Sequence, residues 1–286
     1  MKAIKDTELI LTKDNRVYHL NLKREEIART IIIVGDQTRV ETISRHFDKI
    51  DFIIKHREFI THTGEYNGNK ISVISTGIGT DNIDIVLNEL DALVNIDFKT
   101  RKVNLKKETL DIIRIGTSGA LQEDIKVDSF IMAKYGLGFD GLAHYYKSKN
   151  IIDVQMSEEF IKHSDWPSKL AEPYIVSASK KLINKFSNFN SGITATASGF
   201  YAPQGRELRL KLSINNFHDK INTFNSKDNR ILNFEMETSA LYFLGKSLGH
   251  NTLTICAIMG NRITKEYSKN YNKTIENLVL SVLEKI

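Results

Sequence analysis

A chain of 286 residues, 41% hydrophobic and 26% charged, is long enough to bury a large core and is composed like a folded globular protein. Three prolines and no low-complexity tract argue against disorder, and a net charge of +5 is too small an excess to require nucleic acid as a partner. The single cysteine, Cys256, excludes an intrachain disulfide, no apolar run reaches the length of a membrane span, and the N-terminus lacks an apolar signal segment, so a cytoplasmic protein is expected.

The first twenty-odd residues are polar apart from Val17-Tyr18-His19-Leu20. Ile31–Val34 is a short buried-strand signal, ended by Gly35-Asp36, after which Val40, Ile43 and Phe47 recur at helical spacing. Strand, glycine turn and helix start bring backbone N–H groups together at a sheet edge. Arg39 falls in that first helical turn, where the helix dipole disfavours a cation, and a bound anion would account for it. Glu58–Tyr66 and Lys70–Ser75 flank Asn67-Gly68-Asn69, a hairpin signal because Asn-Gly accepts the positive φ of a tight turn. Thr76-Gly77-Ile78-Gly79-Thr80 follows, then a helical pattern over Ile83–Val94. This Gly-x-Gly lacks the third glycine of a dinucleotide fingerprint. Asn95–Glu108, with five basic residues, reads as a solvated surface excursion.

Asp111-Ile-Ile-Arg114-Ile-Gly116-Thr117-Ser118-Gly119-Ala120 reads as a buried strand running into glycines and hydroxyls. Glycines let backbone approach a ligand, Arg114 offers a planar fork, and Thr117 and Ser118 offer hydroxyls, so a phosphate cradle is expected here. Lys126–Lys134 reads as a strand and Gly136–His144 as a glycine-rich passage, while 148–172 has no clear period. Glu172-Pro173 is expected to open a helix with Ile175, Leu182 and Phe186 on one face. Gly192–Ser198 reads as a strand leading into Gly199-Phe200-Tyr201-Ala202-Pro203-Gln204-Gly205-Arg206, a turn carrying two aromatics, an amide and a guanidinium. Residues 213–230 are expected to form an exposed loop or lid. After Phe234-Glu-Met-Glu237, an apolar face of Met236, Ala240, Phe243, Leu244 and Leu248 predicts a helix capped by Gly249. Leu253–Met259 is the last strand, and Ile275, Leu278, Val279, Val282 and Leu283 make the final helix amphipathic. Strands alternating with helices predict an α/β protein with its sheet covered by helices on both faces, and no repeat or domain boundary interrupts it.

Taken in order, these motifs resemble the uridine phosphorylase branch of the nucleoside phosphorylase family, from about Val17 to Ile286. The resemblance implies one domain over 1–286 with a mixed central sheet, and 95–108 as an insertion in it. It implies a phosphate site at Gly35, Arg39, Arg57, Arg114 and Thr117, with Arg57 reaching in from a neighbouring subunit. It implies a ribose site at Met236 and Glu237, with His19 again from the neighbour, and a base site at Ser118, Gly119, Phe200, Gln204, Arg206 and Arg262. The activity implied is attack of phosphate on the anomeric carbon of a pyrimidine nucleoside, in a homo-oligomer (a dimer or a hexamer) without cofactor or catalytic metal. A monovalent cation held through Glu58 is a further feature of some members.

The chemistry suits these residue types. Arginines hold a dianionic nucleophile beneath a sugar that becomes cationic, Glu237 accepts from vicinal hydroxyls, and Gln204 with Arg206 reads an imide edge and steadies the departing base. Arg114, Glu237, Arg206 and Gln204 are therefore the residues expected to carry the reaction. The chain departs from the family's pattern at Gln37, where proline is usual, and at Thr80-Asp81-Asn82 after Gly79. A purine nucleoside phosphorylase or nucleosidase is the alternative, but such enzymes protonate the purine with an aspartate where this chain has Asn261, and an amide is no general acid. A nucleoside sensor or nucleic-acid binder is the remote alternative, and the scattered arginines speak against it.

Overall fold

A computed structural model describes residues 2–147, 150–214 and 216–286, so Met1, residues 148–149 of the unassigned 148–172 stretch and residue 215 of the expected 213–230 loop lie outside the described residues. In chain order the elements are β1 (Thr30–Val34), α1 (Thr38–Ser44), β2 (Lys49–His56), β3 (Phe59–Tyr66), β4 (Asn69–Ser75) and α2 (Thr80–Asn95). A small hairpin of β5 (Ile96–Asp97) and β6 (Lys102–Val103) leads to β7 (Asp111–Ala120), β8 (Phe130–Gly138), α3 (Val154–Ser164), β9 (Tyr174–Ser177), α4 (Lys180–Lys185) and β10 (Asn190–Thr196). The chain ends with α5 (Phe217–Asn222), β11 (Asn225–Ser226), β12 (Asn229–Glu235), α6 (Thr238–Leu248), β13 (Asn251–Asn261), β14 (Glu266–Tyr267) and α7 (Tyr271–Leu283).

The elements form one α/β domain around a mixed sheet ordered β11-β12-β10-β8-β13-β7-β1-β4-β3-β2. β1, β4, β7 and β13 run parallel, as do β8, β10 and β12, and the two groups meet antiparallel where β13 pairs β8. β12 also pairs β7 antiparallel, which closes β7, β13, β8, β10 and β12 into a small barrel. β7 is the pivot. Its first half, Asp111–Arg114, pairs β1, and only at Gly119 and Ala120 does it pair β12. Ile115–Ser118 therefore have no partner strand on that side, and the sheet splits there. Ligands in α/β folds settle at such splits, because backbone groups at them are left to be satisfied by something other than a strand. At its far end the sheet stops at β2, which is bulged between Ile50 and Phe52 and pairs only β3 among the described strands.

Apolar runs explain the core. Ile31–Val34 of β1 and Ile112, Ile113 and Ile115 of β7 are almost fully buried, together with the inner face of α2 (Ile83, Val86, Leu87 and Leu90). α2 packs on α6, which crosses β8 and β13 and ends at Gly249 in the left-handed conformation its sequence predicted. A second cluster, rich in aromatics, joins Phe160, Phe217, Phe224 and Phe234 beneath the end of the barrel.

Three expectations are corrected. Pro173 opens no helix: Tyr174–Ser177 pairs with β8 as a strand, Ile175 lies in it, and α4 starts only at Lys180. Aromatic and β-branched residues favour that pairing over the helical spacing. The 213–230 stretch is not simply an exposed loop, since Phe217, Ile221 and Phe224 form a buried i, i+4, i+7 stripe and β12 begins at Asn229. The strand read at Lys126–Lys134 runs instead from Phe130 to Gly138, so Gly136 and Gly138 are strand residues. The 95–108 excursion lies at the surface as expected, Asn95 apart, and contains a hairpin closed at its base, where Asn95 Nδ2 donates to Glu108 O (3.1 Å) and Glu108 N to Asn95 Oδ1 (2.7 Å).

Candidate active site

The split in the sheet opens into a cleft of about 1300 Å³. The β1–α1 turn supplies Gly35 and Arg39, β7 supplies Arg114 from its middle and Thr117, Ser118 and Gly119 from its end, and the β12–α6 junction supplies Met236 and Glu237. Phe200, Gln204 and Arg206 line the opposite end with Arg262. Residues far apart in sequence are thus gathered at strand ends.

At the centre is a buried charge cluster. Arg114 Nη2 donates to Glu237 Oε2, and Nη1 lies 3.1 Å from Glu235 Oε2 and 3.5 Å from Cys256 Sγ. All three charged residues are at most 5% exposed. Gly116 makes this possible, since a Cβ there would sit 2.2 Å from Arg114 Nη1. The glycine expected to admit a ligand instead admits the guanidinium of its own strand. Glu235 is further held by Thr196 Oγ1 (2.6 Å) and by the backbone N–H groups of Glu237 and Thr238 at the start of α6, where the helix dipole favours an anion. Glu237 Oε1 accepts from Gly79 N at 2.8 Å. That contact needs Gly79 at φ 102, a conformation side chains rarely adopt, which gives the Gly77-Ile78-Gly79 turn a purpose other than dinucleotide binding. Burial opposes charge on Arg114, but the two carboxylates outweigh it and hold the guanidinium above its ordinary range. Two carboxyl groups share this guanidinium, and Glu237 is pushed up to about 7, chiefly by burial, with Glu235 adding to it against the pull of Arg114.

Beside this cluster Arg39 is 5% exposed, not solvated. Its Nη1 donates to Ile115 O (3.2 Å), a carbonyl in the unpaired part of β7, and its Nη2 donates to Tyr271 Oη (2.6 Å).

At the other end Arg206 and Arg262 converge on one atom. Gln204 Oε1 accepts from Arg206 Nη1 (2.6 Å) and Arg262 Nη2 (2.7 Å). With its oxygen turned to two guanidiniums, the amide's NH₂ group is the part left for a ligand. Arg206 also lies 3.8 Å over the Phe200 ring and donates to Phe200 O, while Arg262 lies 5.3 Å from the centre of Phe234. Neither arginine has a carboxylate partner among the described residues. Burial lowers the pKa of both, that of Arg262 to about 10 with Arg206 contributing, so this end of the cleft seeks negative charge. His218 Nε2 lies 3.0 Å from Gly205 O and braces the turn. Burial holds its imidazole below the ordinary range, so the neutral ring donates that bond. Ser118 Oγ accepts from Asn233 Nδ2 at 2.8 Å.

Asn261 is spent on structure. Its Nδ2 donates to Gln122 O (2.9 Å) and Ile125 O (2.7 Å), and its Oδ1 accepts from the backbone N–H groups of Ile263 and Thr264.

His19 and Arg57 do not line the cleft of their own chain. They lie side by side: Arg57 Nη2 donates to Tyr18 Oη (3.2 Å), and His19 Nδ1 pairs with Glu89 Oε1 (2.7 Å). Glu58, by contrast, does line the cleft, and no group of three or more His, Cys, Asp or Glu is placed to hold a metal ion among the described residues. Among the cleft residues that escaped the sequence reading are Glu235, His218 and Tyr271. Glu235 could have been found from Phe-Glu-Met-Glu as the acidic residue just before a helix, but nothing in sequence links His218 or Tyr271 to sites so distant from them.

A uridine phosphorylase of Thermococcus kodakarensis is 32% identical over 262 residues, covering 90% of this chain and 82% of its own length. A purine nucleoside phosphorylase of the DeoD type from Listeria welshimeri is 27% identical over 269 residues, covering 93% of this chain and 97% of its own. Among solved structures, a Trypanosoma brucei nucleoside phosphorylase described as showing uridine phosphorylase activity superposes with a TM-score of 0.85 at 27% identity, covering 97% of this chain and all of that one. With the pattern of the phosphorylase superfamily matched from residue 29 to 284, a span that holds every residue lining the cleft, the chain belongs to the phosphorylase superfamily.

Proposed function

We propose that the protein cleaves uridine with inorganic phosphate, giving uracil and ribose 1-phosphate. The observation that carries this reading is the pair Arg206 and Arg262, without a carboxylate partner among the described residues and converging on Gln204, at the end of the cleft away from Arg39. In this reading Gly35, Arg39, Arg114 and Thr117 hold phosphate, Met236 and Glu237 hold ribose, and Ser118, Gly119, Phe200, Gln204, Arg206 and Arg262 hold the base. Arg114 joins the nucleophile's subsite to Glu237, so phosphate and ribose are bound against one charge network. As the glycosidic bond breaks, electrons move to the base, and two fixed guanidiniums stabilise the resulting anion without reorganising. No cofactor is needed, because phosphate supplies the nucleophile and the base leaves with the bonding pair. The uridine phosphorylase similarity supports this reading over the purine one, and so does the consumption of both ends of Asn261 by backbone.

Uridine should therefore disappear, followed by ultraviolet absorbance, only when phosphate is present, and inosine should be cleaved far more slowly. Equal rates without phosphate would reject phosphorolysis, and faster inosine turnover would reject the pyrimidine assignment.

We further infer a homo-oligomer in which His19 and Arg57 complete a neighbour's site, since in their own chain they lie off the cleft. On the same reading Glu58, on the cleft wall, is the carboxylate a monovalent cation between subunits would use, and 95–108 is a surface insertion. Buried Cys256 suits a reducing compartment, and we assign the protein to the cytoplasm. Mixing inactive Arg57→Ala and Glu237→Ala proteins under subunit exchange should restore part of the activity, because a mixed pair regains one intact site. Verified exchange with no recovery would count against shared sites.

A further inference from the structure

We propose that Tyr271 is a further phosphate-binding residue, donating its hydroxyl proton to the same anion that Arg39 holds. The proposal rests on the phosphorolysis reading above for the identity of that anion. The hydroxyl of Tyr271 accepts from Arg39 Nη2 at 2.6 Å, and among the described residues no acceptor takes its own proton. A phenol has one proton to give, and here it is unspent, on the wall of the cleft and next to the guanidinium. The side chain is 42% exposed, so burial does not require the hydroxyl. Its position is nonetheless fixed. Asn270 Oδ1 caps α7 by accepting from Lys273 N (3.2 Å), and Thr274 Oγ1 donates to Asp128 Oδ1 (2.6 Å) one turn along. Tyr271 thus acts twice, turning Arg39 towards the cleft and adding a neutral donor beside it.

Tyr271→Phe keeps the ring and removes only the hydroxyl. In a two-substrate kinetic grid its KM for inorganic phosphate should rise roughly ten- to a hundredfold, the worth of one hydrogen bond to a charged acceptor. The KM for uridine and the melting temperature without phosphate should stay as in the unmodified protein. The rise in melting temperature produced by added inorganic phosphate should shrink in the variant. An unchanged KM for phosphate would overturn the proposal while leaving phosphorolysis intact. Equal losses in both KM values, with a lower melting temperature in the absence of phosphate, would overturn it in favour of a purely structural role. If the unmodified protein neither needs phosphate for turnover nor gains stability from it, the reading of the site fails first, and the role of Tyr271 with it.

Discussion

Arg114→Ala should cost the protein more than any other single change in the cleft, in stability and in turnover together. Among the described residues this arginine is the one cation shared by Glu235 and Glu237, with all three side chains buried. Removing it leaves two carboxylates facing each other without a counter-ion, which costs about 3–5 kcal/mol. The pH dependence has a definite sign. Glu237 already titrates above its ordinary 4.5, at about 7, so the folded state binds this proton more tightly than the unfolded chain does. Its contribution to stability is therefore complete below the unfolded value and is lost as pH rises towards the folded one. Without Arg114 the carboxyl is raised further, and the variant's deficit in urea midpoint should shrink on acidification from about pH 8 to about pH 5. Turnover at saturating uridine should fall roughly a hundredfold or more. Arg114→Lys keeps the charge but cannot reach both carboxylates with a planar fork, so it should recover stability only in part. A urea midpoint for Arg114→Ala equal to that of the unmodified protein would show that the three groups do not share charge.

Asn261→Asp is the next most damaging change expected, and it should not create a purine enzyme. The amide's two N–H bonds point at the carbonyls of Gln122 and Ile125, and the residue is 3% exposed. A carboxylate there would set an anion against two carbonyl oxygens and remove two donors, for a loss of roughly 2–4 kcal/mol. The new carboxyl would remain clamped by the backbone N–H groups of Ile263 and Thr264, turned to its own loop and not to a base. A melting curve and an inosine assay check both halves. A variant that melts like the unmodified protein and cleaves inosine would mean that this position can serve as a general acid after all.

What was legible in sequence was local. The β-branched run of β7, the Asn67-Gly68 hairpin with both residues at positive φ, and the Gly249 cap all carry their own conformational cause within a few residues. The misreadings came where distant pairing decided. Tyr174–Ser177 is a strand because β8 lies beside it, and Phe217, Ile221 and Phe224 fold inward because an aromatic cluster awaits them. The cleft follows the same division. Arg39, Gln204, Arg206, Glu237 and Arg262 stand at turns or element ends, where a sequence reader looks first, and Arg114 stands within the glycine-bounded run of β7. That Arg114 would be claimed by two glutamates, or Gln204's oxygen by two arginines, depends on which strands meet at the split in the sheet. No spacing along the chain encodes that meeting.

The outermost strand bears on how copies of this chain could meet. β2 leaves a row of backbone groups unpaired on its outer side, the usual invitation for another chain to continue a sheet. Here the invitation is withdrawn. A bulge between Ile50 and Phe52 breaks the row, and Lys49 and Asp51 pair with each other across the break at 2.7 Å. A strand laid alongside would meet interrupted register and desolvate charge. Yet the same strand ends at His56, next to Arg57 and its neighbour Tyr18. A partner that used Arg57 would thus meet side chains at the strand's tip, Arg57 over Tyr18, and not an unbroken row of backbone groups.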